Sequence, residues 1–270
     1  MKNPILLWRN PFGKQSRLFR KNPFDQSYAI KGFLYVLLGA LTWRRLTKIN
    51  NLTIKNGKIL DTLPKNGVLF VSNHQTYFAD VIAILHTIFS CKWGLYHSLD
   101  NPIYLVSPRI NCYFVAAEET MKEGIIPKIF AFGGAITVKR TWRAKGQDVN
   151  RQVDLKDITK IKNAIDDGWV ITFPQGTTRP YAPGRRGTVH IIKETRPVVV
   201  PVVIDGFRRA FDKKGLILKK RGTQLSVTIK EPLKIDYDQP SDVILAQIMD
   251  AIEQSSGFNK MGLIKQNLEN

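Results

Sequence analysis

The sequence predicts an α/β fold, a mostly parallel central sheet flanked by helices, with an amphipathic helical segment in front of it. Three observations carry this. The 270 residues are 43% hydrophobic, enough to bury one sizeable core. Short apolar runs rich in β-branched residues recur at 67–72, 112–116, 135–138, 169–173 and 198–204. They are apolar throughout rather than alternating, as strands covered on both faces are. Between them lie helical spacings, such as Ile158, Ile161 and Ile165 ahead of Trp169. In such sheets ligands bind at the C-terminal ends of the strands.

Residues 1–50 form a basic, aromatic segment distinct from the body at 51–270. Leu6, Leu7, Trp8, Phe12, Leu18, Phe19 and Phe24 interleave with Arg9, Lys14, Arg17, Arg20 and Lys21. Apolar and cationic groups mixed in this way suit a bilayer interface. The stretch 30–43 is the most hydrophobic in the chain, bounded by Lys31 and by Arg44 and Arg45, with Lys48 beyond. It is shorter than the roughly 20 apolar residues a spanning helix needs, so it is read as lying in the interface or dipping into one leaflet.

The run 67–72 ends on Asn73 and His74, so it delivers its C-terminal end to a site. A helix should follow, with Thr76 as cap and Val81, Ile82, Ile84, Leu85 and Ile88 on its apolar face. The long stretch 90–112 carries Trp93, Tyr96 and Tyr104, read as core rather than as a membrane-facing lid. Near the end, 225–229 reads as an edge strand and 242–253 as a packing helix.

Charge narrows the partners. Forty-one Lys and Arg against 22 Asp and Glu leave +19, more than solubility requires, and imply an anionic partner. Nucleic acid is set aside, because its readers display aromatics on polar basic strands and these strands are apolar. An anionic membrane surface fits the N-terminal pattern. Cys91 and Cys112 are too few for a disulfide framework and are expected as reduced thiols. No metal site is expected, since none of the four histidines sits at ligand spacing with carboxylates; His86, His97 and His190 are read as structural or exposed. Pro4 and the early cations interrupt any apolar core of a secretory signal, and the setting expected is cytosolic.

Four segments carry chemistry. In 72–80, His74 lies just past a strand and Asp80 within the first turns of the next helix. A carboxylate bonded to one imidazole nitrogen leaves the other to take a proton from a hydroxyl. In 173–179, Gly176, Thr177, Thr178 and Arg179 follow a strand and lead into the basic loop 183–187, a setting for an anion. Segment 133–140 ends a strand in Lys139 and Arg140, and 200–204 is an apolar strand with Pro201 near its start. No Gly-x-Ser-x-Gly elbow is present and neither cysteine lies in a motif, so the motifs offer no covalent nucleophile.

In this order the four segments resemble the phospholipid and glycerol acyltransferase family, best known from lysophosphatidic acid acyltransferases. That family shows Asn-His followed after four residues by Asp, then Gly-x-Ile-x-x-Asp-Arg, Phe-Pro-Glu-Gly-Thr-Arg-Ser and Val-Pro-Val. The likeness runs from about Val68 to Glu231. It implies that His74 and Asp80 are catalytic, and that Lys139, Arg140, Gln175, Gly176, Thr177, Thr178 and Arg179 bind substrate. The implied reaction moves an acyl group from acyl-carrier protein or acyl-CoA, a co-substrate rather than a cofactor, to a lyso-lipid hydroxyl. By default the acceptor is 1-acyl-sn-glycerol-3-phosphate, giving phosphatidic acid, at the cytoplasmic face of the inner membrane. Three departures stand out: five residues rather than four separate His74 from Asp80, Gln175 replaces the usual Glu, and Thr178 is inserted before Arg179. The lost carboxylate admits another acceptor, a lyso-glycine or lyso-ornithine lipid. An inactive, membrane-binding relative is the reading from another class.

Overall fold

The computed structural model describes residues 21–122, 129, 132–139, 143–144, 147–148 and 154–259. The N-terminal cluster from Leu6 to Arg20 and the expected substrate-binding Arg140 lie outside them.

Helix α1 (Tyr28–Thr47) precedes strand β1 (Asn51–Lys55), a 3-10 turn (Gly57–Thr62) and strand β2 (Val68–Ser72). Helix α2 (Ala79–Cys91), a 3-10 turn (Pro102–Val106), β3 (Cys112–Ala117), α3 (Glu118–Lys122) and β4 (Ala135–Val138) follow, then a two-residue ribbon, β5 (Arg143–Ala144) with β6 (Gln147–Asp148). The chain continues through α4 (Leu155–Asp167), β7 (Trp169–Thr172), α5 (Arg186–Thr195), β8 (Val198–Asp205), α6 (Phe207–Ala210), β9 (Gln224–Ile229) and α7 (Ser241–Ala251).

Seven strands form one sheet in the order β1-β9-β8-β2-β7-β3-β4. Every pairing is parallel except β8 with β9. The expected edge strand is therefore misplaced: β9 is flanked on both sides, and the edge is β1. Strand β1 buries Leu52 and Ile54 and exposes Asn51, Thr53 and Lys55, the alternation of a half-covered strand.

Strand β2 is fully buried because each face has its own helical layer. Val68 and Phe70 pack into the cluster that holds α1 and α2, while Leu69 and Val71 enter the one that holds α4, α5 and α7. Parallel strands need such crossover helices on their faces, which explains why these runs carry no polar alternation.

The stretch 90–112 is mixed. Tyr104 is fully buried, as expected of core, but Trp93 is exposed. Helix α1 is fastened to the body by polar contacts that the sequence does not announce. Buried Lys31 donates from Nζ to the Cys112 carbonyl (2.6 Å) and lies 3.7 Å from the Tyr113 ring centre. Burial drops its amine from the usual lysine range to about 7. Tyr35 Oη reaches the same carbonyl (2.9 Å) and that of Gly133 (2.8 Å). Its outward face is the reverse: Ile30, Phe33, Leu37 and Leu41 are exposed. No helix of the described residues is long and apolar enough to cross a membrane.

Candidate active site

Strand β2 ends at Ser72, and Asn73 locks that end to the neighbouring strand: its Nδ2 donates to the Ile204 carbonyl (2.9 Å) and its Oδ1 accepts from the Ile204 amide (2.8 Å). His74 is thereby held at the C-terminal edge of the sheet. Asp80 sits in the first turn of α2, fully buried. His74 Nδ1 donates to Asp80 Oδ2 at 2.9 Å, so the pair forms despite the five-residue gap.

The gap is absorbed in the loop. Asp80 Oδ2 also accepts the amides of Gln75 (2.5 Å) and Thr76 (2.9 Å), and Oδ1 accepts the Thr76 hydroxyl (2.7 Å). Thr76 is therefore not the helix cap expected from sequence. Helix α2 starts three residues later, after Phe78, with no side-chain cap. The Asp80 carboxylate instead organises the turn before it, and these four hydrogen bonds satisfy a fully buried polar group. With Nδ1 committed, Nε2 is left to accept a proton. Phe173, from the end of β7, stacks on the imidazole with ring centres 3.9 Å apart and planes at 19°. That contact restricts ring rotation, and sequence reading missed it because Phe173 looked like the last residue of a strand.

His74 opens onto a cavity of about 210 Å³. Its apolar wall includes Val81, Phe114, Met121, Ile158 and Ile161, and polar groups at its rim include Lys139 and Arg185. The Lys139 amide donates to Asp157 Oδ2 (2.9 Å), and its Nζ is 4.0 Å from Asp154 Oδ2. Both carboxylates also line the cavity, a feature the motifs did not point to.

The segment 175–179 divides. Gly176 and Thr177 line the cavity. Gly176 adopts φ 63°, a conformation that favours glycine, and its amide donates to the Phe173 carbonyl (2.9 Å), so that N–H serves the turn itself. Thr178 is buried and Arg179 is exposed, and neither lines the cavity.

Gln175 does not line the cavity either. It is 1% exposed, and its Nε2 donates to the Ala182 carbonyl (2.9 Å) and to Gln254 Oε1 (3.2 Å), the latter oxygen also accepting the Tyr181 amide (2.9 Å). Both partners are acceptors, so this position needs a donor, and a carboxylate would meet two oxygens. Gln in place of the usual Glu follows from that chemistry.

Arg208, just beyond β8, joins the two motif loops: its amide donates to Gln75 Oε1 (3.1 Å) and its Nη2 to the Thr178 carbonyl (2.7 Å). Arg186 is spent on a two-point pair with Asp242 (3.0 and 2.9 Å) and fastens α5 to α7. Buried His86 meets Tyr104 Oη and Thr42 Oγ1, and His97 and His190 are exposed. Burial pushes the Cys91 thiol up to about 12 and the Cys112 thiol up to about 11, so neither offers a thiolate.

A family model described as acyltransferase matches residues 54–205, which hold His74, Asp80, Lys139 and the Gly176 turn. Among solved structures, the chain is similar to the 1-acyl-sn-glycerophosphate (LPA) acyltransferase PlsC from Thermotoga maritima. The identity is 17%, the match covers 86% of this chain and 79% of that one, and the TM-score is 0.52, a likeness of fold. No curated protein matches the sequence.

Proposed function

Because the chain belongs to the acyltransferase family, we propose that it is an O-acyltransferase acting on a lyso-lipid hydroxyl, with His74 as general base and Asp80 as its partner. The observation that carries the reading is the His74–Asp80 bond at 2.9 Å, at the mouth of a cavity with an apolar wall and cations at its rim. His74 Nε2 takes the acceptor proton as the hydroxyl oxygen attacks the thioester carbonyl carbon. The carbon–sulfur bond then breaks, and the departing thiolate takes the proton back from the imidazolium. Asp80 stabilises the imidazolium between the two events. Base catalysis of this kind contributes roughly 10² to 10⁴ in rate. The apolar wall suits an acyl chain, and Lys139 and Arg185 suit a phosphate or a phosphopantetheine arm.

The donor is an acyl-carrier protein or CoA thioester and the default acceptor is 1-acyl-sn-glycerol-3-phosphate. A lyso-glycine or lyso-ornithine lipid is the second acceptor, but Gln175 gives it no support, since that side chain turns to Ala182 and Gln254 and not to the cavity. The enzyme works from the cytoplasmic face of an anionic membrane, where its thioesters are made, with the exposed Ile30, Phe33, Leu37 and Leu41 of α1 in the interface.

The test is transfer of a labelled acyl group by the purified protein to a panel of lyso-lipids, beside His74→Ala. Turnover should fall at least 100-fold in the variant with unchanged melting temperature. Equal transfer by the variant would exclude His74 as base.

A further inference from the structure

Strands β8 and β9 are antiparallel neighbours, for which a two-residue turn suffices. The chain instead spends residues 206–223 on the connection. Seven of these are cations (Arg208, Arg209, Lys213, Lys214, Lys219, Lys220 and Arg221) and one is an acid, Asp212. Arg209 pairs with Asp205. Asp212 serves the loop itself, accepting the amides of Leu216 (2.8 Å) and Ile217 (2.9 Å). Lys213, Lys214, Lys219, Lys220 and Arg221 are exposed, and Ile217 stands among them 68% exposed.

The loop adjoins α1. Arg45 Nη1 donates to the Leu216 carbonyl (2.6 Å). Arg45 follows Leu37 and Leu41 at spacings of four, so it continues the helix face whose apolar residues are exposed. A basic loop and an apolar helix face thus meet at the end of α1, where Arg44 and Lys48 add further exposed cations.

We propose that the loop 212–221 is a second bilayer contact, docking on anionic lipid headgroups beside α1. It rests on the reading of the chain as an enzyme of lipid acceptors. Like charges crowded on one loop repel each other and are stabilised by an anionic surface, and exposed Ile217, next to the Leu216 carbonyl that Arg45 of α1 holds, selects a bilayer over an acidic protein. The loop also supports the catalytic turn. The Tyr77 and Phe78 amides donate to the carbonyls of Lys213 (3.1 Å) and Lys214 (3.0 Å). At Gly215, φ 78°, a Cβ would lie 2.6 Å from the Ala79 nitrogen and 2.8 Å from Thr76 Oγ1, so the loop backbone lies directly against the turn that Asp80 organises. Headgroup contact at this loop therefore sets the distance of the bilayer from His74.

Flotation of the full chain with phosphatidylcholine vesicles, with and without phosphatidylglycerol, tests this. A variant with Lys219→Ser, Lys220→Ser and Arg221→Ser should bind the anionic vesicles roughly 100-fold more weakly, at about fivefold per cation. Its binding to phosphatidylcholine alone and its transfer to acceptor dispersed in detergent should stay at wild-type values. Ile217→Asp should weaken binding to both vesicles. Wild-type flotation by both variants, with melting temperature unchanged, overturns the proposal. So does a triple variant impaired only with acyl-carrier-protein donor, which would assign the loop to an acidic carrier. Flotation needs no turnover, so a wrong acceptor or an inactive His74 leaves this test intact.

Discussion

Two histidines stand at either end of the same stretch of chain, and their partners give them opposite capacities. His74, in the turn before α2, donates Nδ1–H to a carboxylate and keeps Nε2 for substrate. His86, inside α2 where it packs on α1, has only hydroxyls. Thr42 Oγ1 donates to the Leu38 carbonyl (2.7 Å), so His86 Nε2 donates to Thr42 (2.9 Å) and Nδ1 accepts from Tyr104 Oη (2.7 Å). The two rings are opposite tautomers, and His86 has no nitrogen left for chemistry. Burial without a carboxylate lowers its pKa to about 3 and keeps it neutral. The difference teaches that a histidine becomes a base here through the single charged partner that stabilises its protonated form.

The largest effect comes from removing that partner. Asp80→Asn should lower kcat/KM by roughly 10² to 10⁴, because an amide neither stabilises an imidazolium nor accepts four hydrogen bonds. A pH–rate profile of the variant with labelled donor checks it; wild-type rates would erase the distinction between the two rings.

On the other side, His86→Ala should destabilise the fold by roughly 2 to 4 kcal/mol, through a cavity and a stranded Tyr104 hydroxyl, with transfer to dispersed acceptor little changed. The sign of its pH dependence follows from the lowered pKa. Between about pH 3 and the ordinary value near 6.5 the unfolded chain binds a proton that the folded chain does not. His86 thus makes stability rise with pH through that window and fall as pH drops. Melts from pH 3 to 7 should show a flatter slope in the variant.

A smaller effect extends the same reasoning to Gln175. Replacing it by Glu, the residue more usual in the family, sets a carboxylate against the Ala182 carbonyl and Gln254 Oε1 and should cost roughly 1 to 3 kcal/mol. Gln254→Lys in the same chain should recover part of that loss. Denaturant titrations of the single and double variants measure both.

Much of the fold is legible in the amino-acid order because buried parallel strands are locally recognisable. Val68 to Ser72 and Trp169 to Thr172 need no context to read as covered on both faces. Strand β1 escaped because Asn51, Thr53 and Lys55 dilute its apolar content, although its period of two was visible. Within the site, His74 and Asp80 were readable as motif residues, whereas Phe173 and Arg208 were not, since Phe173 acts on a ring 99 residues away and Arg208 on groups 133 and 30 residues away in the chain.

The order of residues alone determined the apolar strands, the placement of His74 at a strand end and the excess of cations, since these depend on side-chain chemistry and near neighbours. Tertiary structure decided which histidine keeps a free nitrogen, that Gln175 turns to Gln254 instead of the cavity, and that a basic loop joins the exposed face of α1. Each of those depends on which groups the closing of the sheet brings within hydrogen-bond reach, and a donor or acceptor has no role until its partner has arrived.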